Sequence, residues 1–121
     1  MLTESGSLKN GGQAVVFVEF SQQGQVEFLI DTGFNGFLCM PRKLLKQLHL
    51  KATTSTFVEG VGTHQDIYDV ALAEIVWCGK KLSKIEVLVN DGDDFLLGTA
   101  LLEDKELYIN YKTGEVLITE T

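Results

Sequence analysis

The sequence has little of several features that mark other classes of protein. No apolar run approaches the roughly 20 residues that a membrane-spanning helix needs, so we expect no membrane partner. Cysteine occurs only twice in 121 residues, as Cys39 and Cys78, and this wide spacing predicts buried free thiols rather than a disulfide. The start of the chain has no basic segment followed by an apolar block. We therefore expect no secretory signal and a cytoplasmic protein.

Basic residues are also scarce. The chain has 10 Lys and Arg against 17 Asp and Glu, which gives a formal net charge of -7. Binding to nucleic acid needs a basic footprint, and the basic residues here are scattered, so we expect no nucleic-acid partner. The hydrophobic content of 45% argues against disorder, and the length predicts one domain with room for a single copy of any motif.

The apolar stretches are rich in Val, Ile and Phe and are separated by glycine-containing turns, a pattern that predicts a mostly β protein. Residues 1–13 are polar and contain Gly and Ser, so we expect a flexible N-terminal arm there and a single domain over residues 14–121. The predicted strands cover residues 14–20, 25–30, 53–58, 65–77, 82–89, 95–98, 107–110 and 116–119.

Two short helical segments interrupt this β pattern. Pro41, the only proline, precedes residues 42–50, where three leucines fall on one helical face, and proline favours the first turn of a helix. We therefore predict one short helix at residues 42–50. A helical turn is predicted at residues 99–103.

The most informative segment is Phe28-Leu-Ile-Asp-Thr-Gly33, in which an apolar strand runs directly into a carboxylate. Asp and Gly are common in turns, so the three residues Asp31-Thr32-Gly33 on their own indicate no more than a turn. A second apolar segment that ends in glycine, Phe95-Leu-Leu-Gly98, follows downstream. A hairpin tipped by Gly60 and Gly62 lies between the two.

This order of elements resembles the retropepsin-like aspartic proteases, in particular the small single-domain bacterial type, from about residue 14 to residue 118. The resemblance implies a closed β-barrel of the acid-protease type, with one short helix after the active-site loop region and a helical turn after Leu-Leu-Gly. It further implies an aspartic-type endopeptidase with a peptide or protein substrate and without a metal or organic cofactor.

The resemblance also implies roles for individual residues. Asp31 would be the catalytic carboxylate, and Thr32 and Gly33 would support the active-site loop. The remaining implied residues form two sets: Phe34, Glu59, Gly60, Val61 and Gly62 at the flap and the substrate, and Leu96, Leu97 and Gly98 packed beneath the loop.

Peptide hydrolysis by carboxylates needs one group to act as base on a water and another to give a proton to the carbonyl oxygen. The sequence contains a single Asp-Thr-Gly, and the acidic stretch at residues 91–94 follows a polar loop rather than a buried strand. The second carboxylate must therefore come from another chain. We expect a C2 homodimer in which two copies of Asp31 meet at the axis.

Residue 34 departs from the family pattern, because Phe34 stands where most relatives have Ala or Ser. A serine there can hydrogen-bond the carboxylate and favour its ionised form, whereas phenylalanine cannot. We therefore expect the shared proton to be held to higher pH than in relatives with serine. The alternative effect of Phe34 is that it crowds the cleft and restricts substrates.

Two other interpretations are weaker. His49 and His64 with Cys39 and Cys78 lack the close-paired spacing of zinc ligands, so no metal site is expected. The alternative function is a catalytically silent peptide-binding or oligomerisation module that keeps the fold without the chemistry.

Overall fold

The computed structural model describes residues 3–59 and 65–121, which form ten β-strands and two short 3₁₀ helices. No helix within these two ranges is long and apolar enough to cross a membrane. The strands are β1 Thr3–Lys9, β2 Gln13–Phe20, β3 Gly24–Ile30, β4 Leu38–Pro41, β5 Ala52–Glu59, β6 Gln65–Trp77, β7 Lys80–Asn90, β8 Leu96–Leu97, β9 Lys105–Asn110 and β10 Glu115–Glu120. The 3₁₀ helices are Arg42–Leu44 and Thr99–Leu101.

The strands form one sheet in the order β5-β6-β7-β4-β8-β3-β2-β1-β10-β9. An additional pairing joins β6 to β2, where Phe20 lies opposite Ile75. This pairing bends the sheet into a partial ring, in place of the closed barrel that the resemblance implied. Neighbouring strands are antiparallel except at two places, where β8 runs parallel to β3 and β4 runs parallel to β7.

The core lies inside this ring and follows from the alternation of side chains along each strand. In β2, Val16, Val18 and Phe20 point inward and are buried, whereas Phe17 and Glu19 point outward. The Trp77 indole lies in the same core, and its Nε1–H donates a 2.9 Å hydrogen bond to the carbonyl oxygen of Leu101. That bond ties the end of β6 to the second 3₁₀ helix.

The expectation of a flexible arm over residues 1–13 is wrong for residues 3–9, which form β1 between β2 and β10. This strand forms through tertiary pairing rather than local sequence preference. Although the segment is polar, its backbone gains hydrogen bonds from β2 on one side and from β10 on the other. Gly6 is packed so closely that a Cβ atom there would lie 2.0 Å from the carbonyl oxygen of Val15.

The helical segments are shorter than the sequence pattern predicts. At residues 42–50 the structure has the 3₁₀ helix Arg42–Leu44 followed by turns, and His49 has a φ of 56° that ends any helical path. Leu45 and Leu48 still reach the core, so the apolar face is used without a regular α-helix. Cys39 and Cys78 are both buried free thiols, as predicted.

Candidate active site

The site is built where β3 ends. Phe28 is fully buried in the core, and three residues later the chain emerges at Asp31, whose side chain is partly exposed. The backbone then turns tightly, because the Gly33 N–H donates a 2.9 Å hydrogen bond to Oδ1 of Asp31 and the Phe34 N–H donates to the Asp31 carbonyl oxygen at 3.1 Å. One carboxylate oxygen is therefore held by the turn itself.

The second oxygen of Asp31 and the hydroxyl of Thr32 are not held in this way. Neither makes a hydrogen bond to the parts of the chain that the structure describes, and Thr32 is exposed. Gly33 does not have a positive φ, but a Cβ atom there would lie only 3.3 Å from Oδ1 of Asp31. A side chain at residue 33 would therefore crowd the carboxylate.

β8 fixes the position at which the chain leaves the sheet at the end of β3, next to Asp31. It lies parallel to β3 with Leu97 opposite Ile30, and the Asp31 N–H donates to the Leu97 carbonyl oxygen at 2.9 Å. Leu97 is fully buried, and Leu96 packs on the other side of the strand. The structure thus brings the Leu-Leu-Gly segment directly against the Asp-Thr-Gly turn, although the two are far apart in sequence.

Gly98 completes this junction. A Cβ atom at residue 98 would lie 2.2 Å from the carbonyl oxygen of Gly36 and 2.6 Å from that of Phe34, so the turn passes where a side chain would stand. The same two carbonyl oxygens accept hydrogen bonds from the Ala100 and Thr99 N–H groups at 3.2 and 2.8 Å. The second 3₁₀ helix therefore begins by capping the loop that follows Asp31.

The Phe34 ring packs against Gly36 and Gly98. The ring also contacts a small apolar layer on the face of the strands opposite the main core, formed by Cys39, Val70, Leu88, Tyr68 and Leu96. The sequence analysis missed Gly36 as part of this loop. Its signal was weak, because Gly36 lacks a positive φ and its small size matters only beside the Phe34 ring.

Next to this apolar layer, Asn90 organises the acidic loop at residues 91–94. Its amide donates to the Asp94 carbonyl oxygen at 2.9 Å and to the Cys39 sulfur at 3.3 Å, and its Oδ1 accepts from the Gly92 N–H at 2.9 Å. Burial raises the pKa of the Cys39 thiol, so this cysteine is a packed, neutral side chain.

The acidic loop also pairs with cations. Arg42 binds Asp91 and Asp69, each at 2.8 Å, and Lys43 binds Asp93 and lowers the pKa of that carboxyl. Within residues 3–59 and 65–121, no group of three or more His, Cys, Asp or Glu side chains has the arrangement of a metal site.

The flap residues are described only in part. Glu59 ends β5, where its backbone lies opposite Gln65. Gly60, Val61 and Gly62, which the sequence analysis assigned to the flap, and His64 lie outside the described residues.

Comparison with known proteins gives a consistent assignment. A sequence profile described as aspartyl protease matches residues 16–101. An uncharacterized protein of Archaeoglobus fulgidus is 30% identical over 107 residues, an alignment that covers 79% of this chain and 78% of that protein.

Two solved structures share the fold. A retropepsin-like aspartic protease from Rickettsia conorii matches with a TM-score of 0.68 at 19% identity, over 98% of this chain and 90% of its own. The EIAV protease complexed with the inhibitor HBY-793 matches with a TM-score of 0.58 at 20% identity, over 76% and 86%.

Proposed function

Because the chain belongs to the aspartyl protease family, we propose that it is an aspartic endopeptidase that acts as a homodimer. The observation that carries this proposal is the Asp31 turn. It presents a partly exposed carboxylate at the end of a buried strand, with one oxygen held by Gly33 and the other unpartnered in the described chain. The sequence has only one such turn, so two chains supply the two carboxylates that the chemistry needs.

In the proposed mechanism, a water lies between Asp31 and the partner's Asp31. Two carboxylates this close cannot both ionise at low cost, so the pair shares one proton. The water attacks the scissile carbonyl carbon while the ionised carboxylate takes a proton from that water. The protonated carboxyl gives its proton to the carbonyl oxygen. The product of this step is a tetrahedral diol-like intermediate without a covalent bond to the enzyme.

The other site residues support this step in distinct ways. We propose that the Thr32 hydroxyl bonds to the backbone of the partner's loop, which fits its exposure and its lack of a partner within the described chain. We propose that Leu96, Leu97 and Gly98 hold the loop from below. The Leu97 carbonyl oxygen accepts the Asp31 N–H, and the Gly98 N–H donates to the Phe37 carbonyl oxygen at 2.9 Å. Leu96 packs in the same apolar layer as Phe34.

The substrate is a peptide in an extended conformation. It makes strand-like main-chain hydrogen bonds beneath the two flaps, to which Glu59, Gly60, Val61 and Gly62 belong. Phe34 forms part of the cleft wall beside the scissile bond.

The test compares the wild type with Asp31→Asn on a broad peptide library from acidic to neutral pH. The proposal expects cleavage by the wild type and its loss in Asp31→Asn, with the dimer intact by sedimentation. Asp94→Asn, the same change in the exposed acidic loop, is the matched control and keeps activity. Absence of cleavage by the wild type at every pH would contradict the proposal and favour the silent binding module.

A further inference from the structure

The Asp31 carboxylate lies on the face of the sheet opposite the main core. Side chains alternate between the two faces along a strand, and in β3 both Phe28 and Ile30 pack in the main core. Leu29, which lies between them, and Asp31, which follows, therefore point to the opposite face. The strand pairing continues as far as Asp31, because its N–H donates to the Leu97 carbonyl oxygen. A peptide that reaches the carboxylate must lie on this opposite face.

On that face, one apolar side chain from each of five neighbouring strands forms a continuous row. The strand registers pair Val70 of β6 with Leu88 of β7, Leu88 with Cys39 of β4, Cys39 with Leu96 of β8, and Leu96 with Leu29 of β3. Neighbouring strands lie about 4.8 Å apart, so these side chains leave no gap between them. The row ends at Leu29, two residues before Asp31, and it provides an apolar floor beside the carboxylate.

The Phe34 ring covers a large part of this floor. It packs against the cluster of buried side chains that Cys39, Val70 and Leu88 form. At the end of the row next to Asp31, Leu29 and Leu96 remain partly exposed, and so does Phe34 itself. The ring therefore stands on the floor at the place where a neighbouring side chain of a bound peptide would pack.

The ring is held firmly in this position. A Cβ atom at residue 36 would lie 2.6 Å from its Cζ atom, and one at residue 98 would lie 2.7 Å from its Cδ2 atom. The backbone of Phe34 is fixed as well, because its N–H donates to the Asp31 carbonyl oxygen and its own carbonyl oxygen accepts from the Thr99 N–H. A substrate side chain could enter the same space only by displacing the ring from these contacts.

We propose that the Phe34 ring is a built-in occupant of a substrate side-chain pocket, so that the site cleaves peptides with a small residue, Gly, Ala or Ser, at the position facing the ring. The inference rests on the proposed function and deepens it, because it names the class of peptide that the Asp31 site accepts. In a homodimer each chain supplies one ring. The restriction therefore falls on two positions, placed symmetrically on the two sides of the scissile bond.

The spacing of the strands limits which two positions these are. Leu96 and Cys39, which carry the ring, belong to the strands one and two steps away from β3, or about 5 and 10 Å from it. An extended peptide advances about 3.3 Å per residue, and alternate residues face the same side. The restricted positions therefore lie within about three residues of the scissile bond.

Cleavage of peptide libraries in which one position at a time carries Gly, Ala, Val, Leu or Phe tests this assignment. The wild type should accept Gly and Ala and disfavour Leu and Phe at two symmetric positions. In Phe34→Ala the preference for Leu over Ala should rise about tenfold or more at both positions together, because the freed pocket buries the longer side chain. Phe34→Leu removes less of the ring and should give a smaller change in the same direction.

Phe37→Leu is the matched control for Phe34→Leu. Phe37 is a partly buried residue of the same loop, but its side chain packs against the main core on the other face of the sheet. The control makes the same change of side chain without opening the pocket, so it should keep the preference of the wild type. Circular dichroism checks that each variant folds. Equal changes of preference in Phe37→Leu and Phe34→Leu would overturn the proposal.

Binding of pepstatin, measured by isothermal titration calorimetry, is a second test that needs no cleavage. The valine and statine side chains of this peptide are branched and apolar, so Phe34→Ala should bind it about tenfold or more tightly than the wild type does. Unchanged affinity together with an unchanged cleavage preference in Phe34→Ala would overturn the filled pocket and leave the proposed function standing. A wild type that cleaves no peptide, with tighter pepstatin binding in Phe34→Ala, would overturn the function and leave the filled pocket standing.

Discussion

The Phe34 ring occupies the space that a side chain at Gly36 would need. A Cβ atom at residue 36 would lie 2.6 Å from Cζ and 2.8 Å from Cε1 of that ring. Gly36 does not have a positive φ, so its backbone would accept any residue. Residue 36 must therefore be glycine because the Phe34 ring fills the space beside it. The two residues together set the path of the loop after Asp31.

This contact predicts a strong energetic coupling between the two positions. Gly36→Ala should lower the free energy of unfolding by about 1–3 kcal/mol, because the ring must leave its place in the apolar layer. In a Phe34→Ala background the same substitution no longer meets the ring and should cost less. Urea unfolding of the two single variants and the double variant measures this coupling.

Gly98→Ala is the control for that cycle. Its Cβ atom would meet the backbone carbonyl oxygens of Gly36 and Phe34 as well as the Phe34 ring. Removing the ring therefore cannot restore stability in the Gly98→Ala variant. Equal rescue of Gly36→Ala and Gly98→Ala by Phe34→Ala would contradict the packing described here.

The Phe34 side chain also has a predicted effect on the pH dependence of catalysis. A serine hydroxyl at residue 34 could donate a hydrogen bond that favours the ionised carboxylate, so in Phe34→Ser the upper limb of the pH–rate profile should move to lower pH. Phe34→Ala removes the ring without adding a hydroxyl and should leave that limb in place. An unchanged limb in Phe34→Ser would show that the hydroxyl does not reach the carboxylate.

Glu4 in β1 makes stability depend on pH. Burial raises its pKa above the ordinary 4.5, Glu19 acts in the same direction, and the 2.7 Å hydrogen bond from the Cys78 N–H opposes them. A carboxyl with a raised pKa contributes stability while it is protonated, and that contribution is lost as the pH rises through the raised pKa. The free energy of unfolding of the wild type should therefore fall as the pH rises through the raised pKa of Glu4.

The test replaces Glu4 with an uncharged acceptor. Thermal unfolding of Glu4→Gln and the wild type between about pH 4 and about pH 7 should show a difference that grows in favour of the variant as pH rises. Glu103→Gln removes one exposed carboxylate and controls for the change in net charge. A difference that shrinks with rising pH would show that the hydrogen bond from Cys78 outweighs burial.

The strands that carry the site were predictable from local sequence, because their apolar residues alternate or run together between turns. β3 illustrates this, since the run that ends at Ile30 leads straight into Asp31 as the pattern indicates. β1 was not predictable. Its residues, Thr-Glu-Ser-Gly-Ser-Leu-Lys, have little apolar content, and the strand forms because β2 and β10 lie on both sides of it.

The helix expected at residues 42–50 shows the opposite failure. Its leucines are spaced for a helix and two of them are buried, yet the backbone makes one 3₁₀ turn and then a left-handed residue at His49. A segment this short gains little free energy from helix propagation. Its backbone conformation is therefore set by the burial of the leucines and by the turn that leads into β5. The contact between Phe34 and Gly36 was likewise beyond sequence reasoning, because it depends on a rotamer rather than on a pattern.

The central claim is that each chain carries half of an active site, and subunit mixing tests it most directly. Wild type and Asp31→Asn are combined in varying ratio at constant total concentration, after sedimentation has shown that the variant dimerises. If each site needs Asp31 from both chains, an equal mixture holds about a quarter of fully wild-type dimers, and activity per wild-type chain falls to about half. Activity per wild-type chain that stays constant across all ratios would contradict the account.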